Sequence, residues 1–233
     1  MCAEKSSASH TLVYQFNDRP IEGIDTVEFR LLYQGPLGSS AGPNEKHGIR
    51  RSFHPQLRRL WQTNSGLRDI ARMQAPWGQI QEEPPLREWT EEELAEQGLK
   101  YISEQWQRGD YKFIPLVTRD ACLRCSIEIL FLRPGEPRFV IQGGDLDNRL
   151  KTLFDALRIP ANQSEMGNAT LQDDETPFYC LLQDDILISE VRVITDELLA
   201  LPAERMVRAN DVFLEIYVRL KPTKPTQFSA YLD

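Results

Sequence analysis

The stretch GDLDNRLKTLFDAL, residues 144–157, decides the fold of this chain. Its apolar residues recur at i, i+3, i+4 and i+7, which predicts an amphipathic helix: Leu150, Leu153, Phe154 and Leu157. Pro160 ends that helix because proline cannot continue the hydrogen-bond ladder. The apolar residues 139–141 and two glycines lead into the stretch, so we expect a strand, a tight turn and then the helix.

Two carboxylates open this stretch. On an extended segment, Asp145 and Asp147 would point to the same side, because strand side chains alternate between faces. Lys151 follows Asp147 by one helical turn if Asp147 opens the helix. Simpler roles exist for two of them, since Asp147 could cap the helix and Lys151 could form a surface ion pair with it. Asp145 has no such simple role.

A second acidic pair, Asp184-Asp185, precedes another apolar run. Alone it is typical of a turn before a strand, and Asp173-Asp174 is a similar pair elsewhere. If the two pairs converge, charges about 4 Å apart repel by roughly 4 kcal/mol at an effective dielectric near 20. A divalent metal, Lys151 or a raised carboxylate pKa would relieve that repulsion. Oxygen ligands suit Mg²⁺, or Mn²⁺ in its place, and the chain has only three histidines.

The order of strand, acidic pair, helix with lysine, acidic pair and strand resembles the RusA-type Holliday-junction resolvases, which are metal-dependent endodeoxyribonucleases. Residues 144–151, residues 153–157 and the pair before Ile188 carry the likeness, with a weaker match at 27–36. The resemblance implies Mg²⁺-dependent cleavage of branched DNA, a four-way junction or a flap, by a homodimer in recombination or repair. It implies metal binding by Asp145, Asp147, Asp184 and Asp185, and catalytic roles for Asp145, Asp147, Asp185 and Lys151.

The pattern of the whole chain predicts an α+β fold, with a mixed or antiparallel sheet packed against helices. We expect one RusA-like domain at 25–220, with an insertion at about 46–110, a polar lead-in at 1–24 and a tail at 221–233. Strands are predicted near 27–33, 112–119, 123–132, 186–194 and 212–218, and further helices at 52–61 and 91–107. Residues 161–180 are polar and are expected to be irregular.

Charge is unevenly distributed along a chain whose net charge is −8. Bases cluster at 45–72, so we expect phosphate contacts from arginines there and from one in the helix: Arg50, Arg51, Arg58, Arg59 and Arg149. The segment 82–100 carries seven glutamates and could bind a protein partner. This second feature favours an alternative function, a non-catalytic or regulatory protein-interaction module on the same fold.

No apolar stretch of this sequence approaches the length of a membrane span, and the N-terminal residues lack the apolar core of a signal peptide. We therefore expect a cytoplasmic protein without membrane contact. His47 and His54 flank the basic segment and are expected to be surface or helix-packing residues.

Overall fold

The computed structural model of the protein describes residues 27–75, 89–134, 145–199 and 210–224. The helices in these ranges are α1 (Pro43–Thr63), α2 (Ser65–Met73), α3 (Glu91–Gln105) and α4 (Asp145–Leu157). The strands are β1 (Glu28–Pro36), β2 (Gln107–Arg108), β3 (Tyr111–Val117), β4 (Leu123–Arg133), β5 (Phe178–Leu182), β6 (Ile188–Glu197) and β7 (Asp211–Pro222). Two short 3-10 turns lie at Gln163–Met166 and Asp185–Leu187.

The strands form two mixed sheets. In the larger sheet the order is β1-β7-β4-β6, with β7 antiparallel to both β1 and β4, and β4 parallel to β6. In the smaller sheet the order is β2-β3-β5, with β3 antiparallel to β2 and parallel to β5. The predicted α+β architecture with a mixed sheet against helices is therefore confirmed.

One face of the larger sheet forms the core and the other faces solvent. Along β4 and β7, alternate residues are buried, and the intervening positions carry cross-strand ion pairs such as Arg192–Glu128. Helix α1 supplies Ile49, Phe53 and Leu57 to the same core as the inward residues of β4. The helices of the 46–110 segment are thus part of the main core.

Local capping explains where two helices begin. Helix α1 starts at Pro43, well before the predicted Ser52, because proline suits the first helical position and the Gly42 N–H donates to Glu45 Oε2 at 2.9 Å. Helix α3 starts where predicted: the Glu93 N–H donates to Thr90 Oγ1 at 3.2 Å, and the Thr90 N–H donates to the Glu93 carboxylate.

Strand β5 corrects the expectation that 161–180 is irregular. Its five residues, FYCLL, are all buried, and the strand lies beside β3. A short continuous apolar run of this kind is typical of a parallel strand covered on both faces, so the sequence did contain the signal.

Several sequence predictions fall on parts of the chain that lie outside the described residues. These are the strand at 139–141, the lead-in at 1–24 and most of the tail at 221–233. Among the helices that are described, none is long and apolar enough to cross a lipid bilayer.

Candidate functional site

Helix α4 carries the first half of the predicted site, and it begins two residues before Asp147, the residue at which the sequence suggested a helix start. The helix starts at Asp145. Because a helix turns by about 100° per residue, positions 145 and 147 lie about 200° apart around its axis. The expectation that residues 145–147 form an extended segment is therefore wrong. The side chain of Asp145 lies outside the described atoms.

Asp147 and Lys151 share one stripe of α4. Both side chains are exposed, and they are one helical turn apart. Among the side chains that the structure describes, neither has a hydrogen-bond or ion-pair partner. The spacing predicted from the sequence is therefore present, and both groups are open to solvent.

The second acidic pair lies at the turn between β5 and β6. Asp184 Oδ1 accepts a hydrogen bond from the Ile186 N–H at 3.1 Å, and its other oxygen lies 3.4 Å from Arg119 Nη2. Desolvation raises the pKa of Asp185, and the hydrogen bond to Asp184 and the negative charge of Asp184 raise it further. The two carboxylates are thus close enough to share a proton or a cation.

This pair borders an open cleft of about 450 Å³. Its walls are lined by two arginines, Arg108 and Arg158, and by the side chains of Trp106 and Gln183. The Arg108 guanidinium donates to the carbonyl oxygens of Pro160 and Ala161 at 3.1 Å, which fixes it at the edge. The cleft therefore combines acidic and basic groups in a space large enough for a phosphate and its hydration.

Asp155 approaches the pair from the C-terminal half of α4. Its negative charge contributes to the raised pKa of Asp185. Burial alone would raise the pKa of Asp155, but the hydrogen bonds and charges of Lys46 and Arg158, at 2.6 and 3.2 Å, together hold it below its usual value. Asp155 is therefore ionised and already paired with two bases.

The structure thus places Asp184 and Asp185 together at the cleft, with Asp155 close enough for its charge to affect the pKa of Asp185, whereas Asp147 lies towards the other end of α4. Asp147 and Asp155 are eight residue steps apart on the helix, which corresponds to about 12 Å along its axis. No group of three histidine, cysteine or carboxylate side chains within the described ranges is arranged to hold a metal ion. Two carboxylates nevertheless fit Mg²⁺, which commonly takes one or two of them and fills its remaining positions with water and phosphate.

Two of the predicted phosphate-binding arginines have structural roles. Arg50 is 1% exposed, and it donates to the carbonyl oxygens of Asp155 and Arg158 at the C-terminal end of α4. Arg51 pairs with the buried Glu175 and donates to the Thr170 carbonyl oxygen at 2.6 Å. The prediction that these two contact phosphate is wrong, because protein acceptors already hold their guanidinium groups.

Arg149 is also buried. Its Nη1 donates to the Leu37 carbonyl oxygen at 2.6 Å, and its Nη2 donates to Asn210 Oδ1 at 3.2 Å. It joins α4 to the segment after β1 and is not a phosphate ligand in this arrangement. Arg58 and Arg59, in contrast, are exposed on α1, so their predicted role remains open to test.

The basic and acidic segments that the sequence distinguished are neighbours in the fold. Arg68 of α2 pairs with Glu92 of α3 at 2.8 Å, and Arg72 pairs with Glu91 at 2.9 Å. Part of the charge of each segment is therefore neutralised by ion pairs between α2 and α3. Of the acidic segment, residues 82–88 lie outside the described residues.

His47 and His54 are buried packing residues of α1, one of the two outcomes expected from the sequence. His54 Nδ1 accepts from the Tyr179 N–H at 2.9 Å, so its other nitrogen carries the proton and donates to the Asp174 carbonyl oxygen. Arg50 Nη1 lies 3.2 Å from His47 Nδ1, which must also accept. Burial and then the charges of Arg50 and Arg51 lower the pKa of His47 to about 4.

This arrangement predicts a loss of stability in mild acid. The unfolded chain binds protons at His47 near pH 6.5, whereas the folded chain resists protonation until about pH 4. The stabilisation that neutral His47 gives the folded protein is therefore complete above pH 6.5, and it is lost as the pH falls from 6.5 towards 4. We expect the free energy of unfolding to fall by about 2 kcal/mol between pH 7 and pH 5.

Urea unfolding at the two pH values measures this difference, with His47→Gln as the comparison. The variant should show a clearly smaller pH dependence, since glutamine does not titrate. A variant that loses as much stability as the wild type over this range would mean that His47 is not the group responsible.

Sequence reasoning missed two residues that organise the site. The spacing of Lys151 and Asp155 is typical of an ordinary salt bridge within a helix, whereas the partners of Asp155 are Lys46 and Arg158. Glu175 was not singled out, although it is 2% exposed and holds Arg51, with Tyr111 within hydrogen-bond distance. The signal for Asp155 was its position two turns after Asp147, but no local pattern points to a partner more than a hundred residues away.

Comparison with models of protein families, with curated proteins and with solved structures finds no match to this chain.

Proposed function

We propose that the chain is a cytoplasmic Mg²⁺-dependent endodeoxyribonuclease that hydrolyses phosphodiester bonds in branched DNA, including four-way Holliday junctions, on a RusA-type fold. The observation that carries the proposal is the Asp184-Asp185 pair, whose carboxylates lie together at the edge of an open polar cleft. The pKa of Asp185 is raised by burial and by Asp184, and a divalent cation bound between the two carboxylates would offset their mutual repulsion.

The motif order gives further support. Helix α4 lies between the parallel strands β4 and β6 in the chain, and the second acidic pair stands at the start of β6. Lys151 lies one helical turn from Asp155, whose negative charge acts on Asp185. In the proposed mechanism the exposed ammonium group of Lys151 approaches a phosphate bound beside Asp185.

A divalent metal in this position would lower the pKa of a bound water and neutralise charge on the scissile phosphate. Ion pairs within the protein hold the charged side chains around this position. Lys46 and Arg158 keep Asp155 ionised, and Arg119 lies beside Asp184. Arg58 and Arg59 remain as exposed bases for phosphate contact outside the cleft.

The direct test is cleavage of synthetic four-way junctions with and without Mg²⁺, beside flap and linear duplex substrates. We expect cleavage of branched DNA that requires the metal, and a loss of about a hundredfold in rate for Asp185→Asn, because an amide is a poor metal ligand. Asp173→Asn is the matched control, since Asp173 is an exposed member of an acidic pair elsewhere, and it should stay within about twofold.

Retention of wild-type cleavage by Asp185→Asn would reject this site. The absence of metal-dependent cleavage on every branched substrate would favour the second candidate function, a protein-interaction module. One observation favours that candidate: three arginines predicted to contact phosphate instead bind acceptors within the protein, namely Arg50, Arg51 and Arg149. Asp147→Asn tests separately whether the N-terminal end of α4 acts on the same DNA.

A further inference from the structure

Arg108 is a base in the wall of the cleft beside the acidic pair, and no described carboxylate neutralises its charge. The other arginine of this wall, Arg158, pairs with Asp155 at 3.2 Å and with Glu165 at 3.0 Å. Arg108 forms no ion pair with any carboxylate that the structure describes, and the hydrogen bonds of its guanidinium all end on backbone carbonyl oxygens. These neutral acceptors position the guanidinium and leave its positive charge uncompensated.

Part of the Arg108 guanidinium is available to a ligand. Its Nε–H is shared between the carbonyl oxygens of Pro160 and Ala161, at 3.1 Å each, and its Nη1 donates to the Gln107 carbonyl oxygen at 2.8 Å. A guanidinium has five N–H donors, two of them on Nη2. Nη2 has no acceptor among the described groups, and it is not one of the buried unpaired atoms, so a molecule in the cleft can reach it.

The segment that holds Arg108 is tied to the strand that leads into the acidic pair. The Ile159 N–H donates to the carbonyl oxygen of Leu182, the last residue of β5, at 2.8 Å. The Ala161 N–H donates to the Glu165 carboxylate at 3.1 Å, so hydrogen bonds fix this segment at both ends. Arg108 itself lies in β2, in the same sheet as β5. One hydrogen-bonded framework therefore carries both the guanidinium and the carboxylate pair.

The charge of Arg108 is not taken up by the acidic pair. The base among the main influences on the pKa of Asp185 is Arg158, not Arg108. The cleft thus offers two carboxylates and, on another part of its wall, an arginine without a counter-ion. A phosphate suits this combination, because one of its oxygens can bind a metal ion while another accepts hydrogen bonds from a guanidinium.

We propose that Arg108 binds a phosphate of the DNA strand that enters the cleft, through the N–H groups of Nη2, and so positions that strand against the acidic pair. The proposal rests on the nuclease function proposed above. Arg108 lies outside every stretch that carries the RusA likeness, so this contact belongs to the 46–110 segment. The net charge of the chain is −8, so a polyanionic strand needs a local base in order to approach two carboxylates.

Junction binding tests this contact without cleavage, when Ca²⁺ replaces Mg²⁺ and a fluorescein-labelled four-way junction is followed by fluorescence anisotropy. Titrations between about 50 and 200 mM salt give the slope of log K against log salt concentration, which falls by about 0.9 for each phosphate contact that is lost. We expect Arg108→Gln to weaken binding about tenfold and to reduce this slope by about one. Arg30→Gln removes the same charge from β1, at the far edge of the larger sheet, and should leave the slope unchanged.

Arg108→Lys separates phosphate binding from a purely structural role. Lysine keeps the charge but lacks the planar fork that holds the carbonyl oxygens, so it should preserve the slope of the wild type. Far-UV circular dichroism establishes that each variant is folded. If Arg108→Gln does not fold, Ala161→Glu carries the test, because Ala161 is exposed in the cleft wall and the added carboxylate competes for Arg108. Ala161→Glu should then reduce the slope by about one, and Ala161→Gln should not.

Three results would overturn this assignment and leave the nuclease proposal intact, provided that the wild type still cleaves junctions with Mg²⁺. The slope of Arg108→Gln equals that of the wild type, or Arg30→Gln lowers the slope equally, or Arg108→Lys loses as much slope as Arg108→Gln. In the last case Arg108 only supports the backbone of 160–161. A wild type that neither binds nor cleaves the junction would overturn both proposals together.

Discussion

Arg50→Met should lower the free energy of unfolding by about 3–4 kcal/mol, although the residue lies in a segment whose charge suggests a surface role. Arg50 is 1% exposed, and it donates to two carbonyl oxygens at the C-terminal end of α4, at 2.8 and 3.0 Å. The last carbonyl groups of a helix receive no hydrogen bond from its own backbone N–H groups, so a donor from elsewhere must supply one. Methionine fills similar space but donates nothing, which leaves two part-buried carbonyl oxygens and the buried His47 Nδ1 without their donor.

Arg58→Met is the matched control, because Arg58 is exposed two turns further along the same helix. It should change the free energy of unfolding by no more than about 0.5 kcal/mol. Chemical denaturation of the two variants beside the wild type gives the comparison. Equal stability of the two variants would show that the buried guanidinium contributes nothing that methionine cannot replace.

Gly98→Ala should destabilise the protein by about 3 kcal/mol or more, or prevent folding altogether. A Cβ atom at Gly98 would lie 1.7 Å from the carbonyl oxygen of Ala71 and 3.3 Å from the amide nitrogen of Ala75. Both contacts are with backbone, so no side-chain rotation relieves them, and α3 would have to move away from α2. That movement would also disturb the Arg68–Glu92 and Arg72–Glu91 pairs.

Gly48→Ala tests the same substitution where space is free. No atom lies within 4 Å of a Cβ built at Gly48, which is in the interior of α1. Alanine there should stabilise the protein by about 0.5–1 kcal/mol through helix propensity. Thermal and urea unfolding of both variants should therefore give changes of opposite sign. A neutral Gly98→Ala would mean that α2 and α3 do not pack as closely as described.

Much of the secondary structure followed from local pattern. Strand β7 was predicted from the alternation of Val212, Leu214, Ile216 and Val218, and all four are buried on one face. Helix α3 followed from its capping box at Thr90 and Glu93. Both signals act over a few residues, because backbone periodicity and terminal N–H groups are satisfied locally.

Other predictions were wrong or missing because residues that are distant in the chain determine those elements. Strand β5 is a five-residue apolar run whose partner β3 is more than sixty residues earlier, and no alternation marks a strand covered on both sides. The sequence allowed Asp147 to open or cap α4, whereas the helix extends back to Asp145. The arginines of the basic segment were interpreted by charge, which does not distinguish a buried guanidinium from an exposed one.

The sequence by itself determined the α+β class, the amphipathic α4 and the two acidic pairs, because periodicity and residue type are local properties. Only the tertiary structure decided which carboxylates meet. It placed the Asp184-Asp185 pair within range of the charge of Asp155, left Asp147 about 12 Å from Asp155 along α4, and buried Arg50 against the end of that helix. The physical reason is that proximity across the fold depends on helix rise, strand register and burial, which bring together residues that are far apart in the chain.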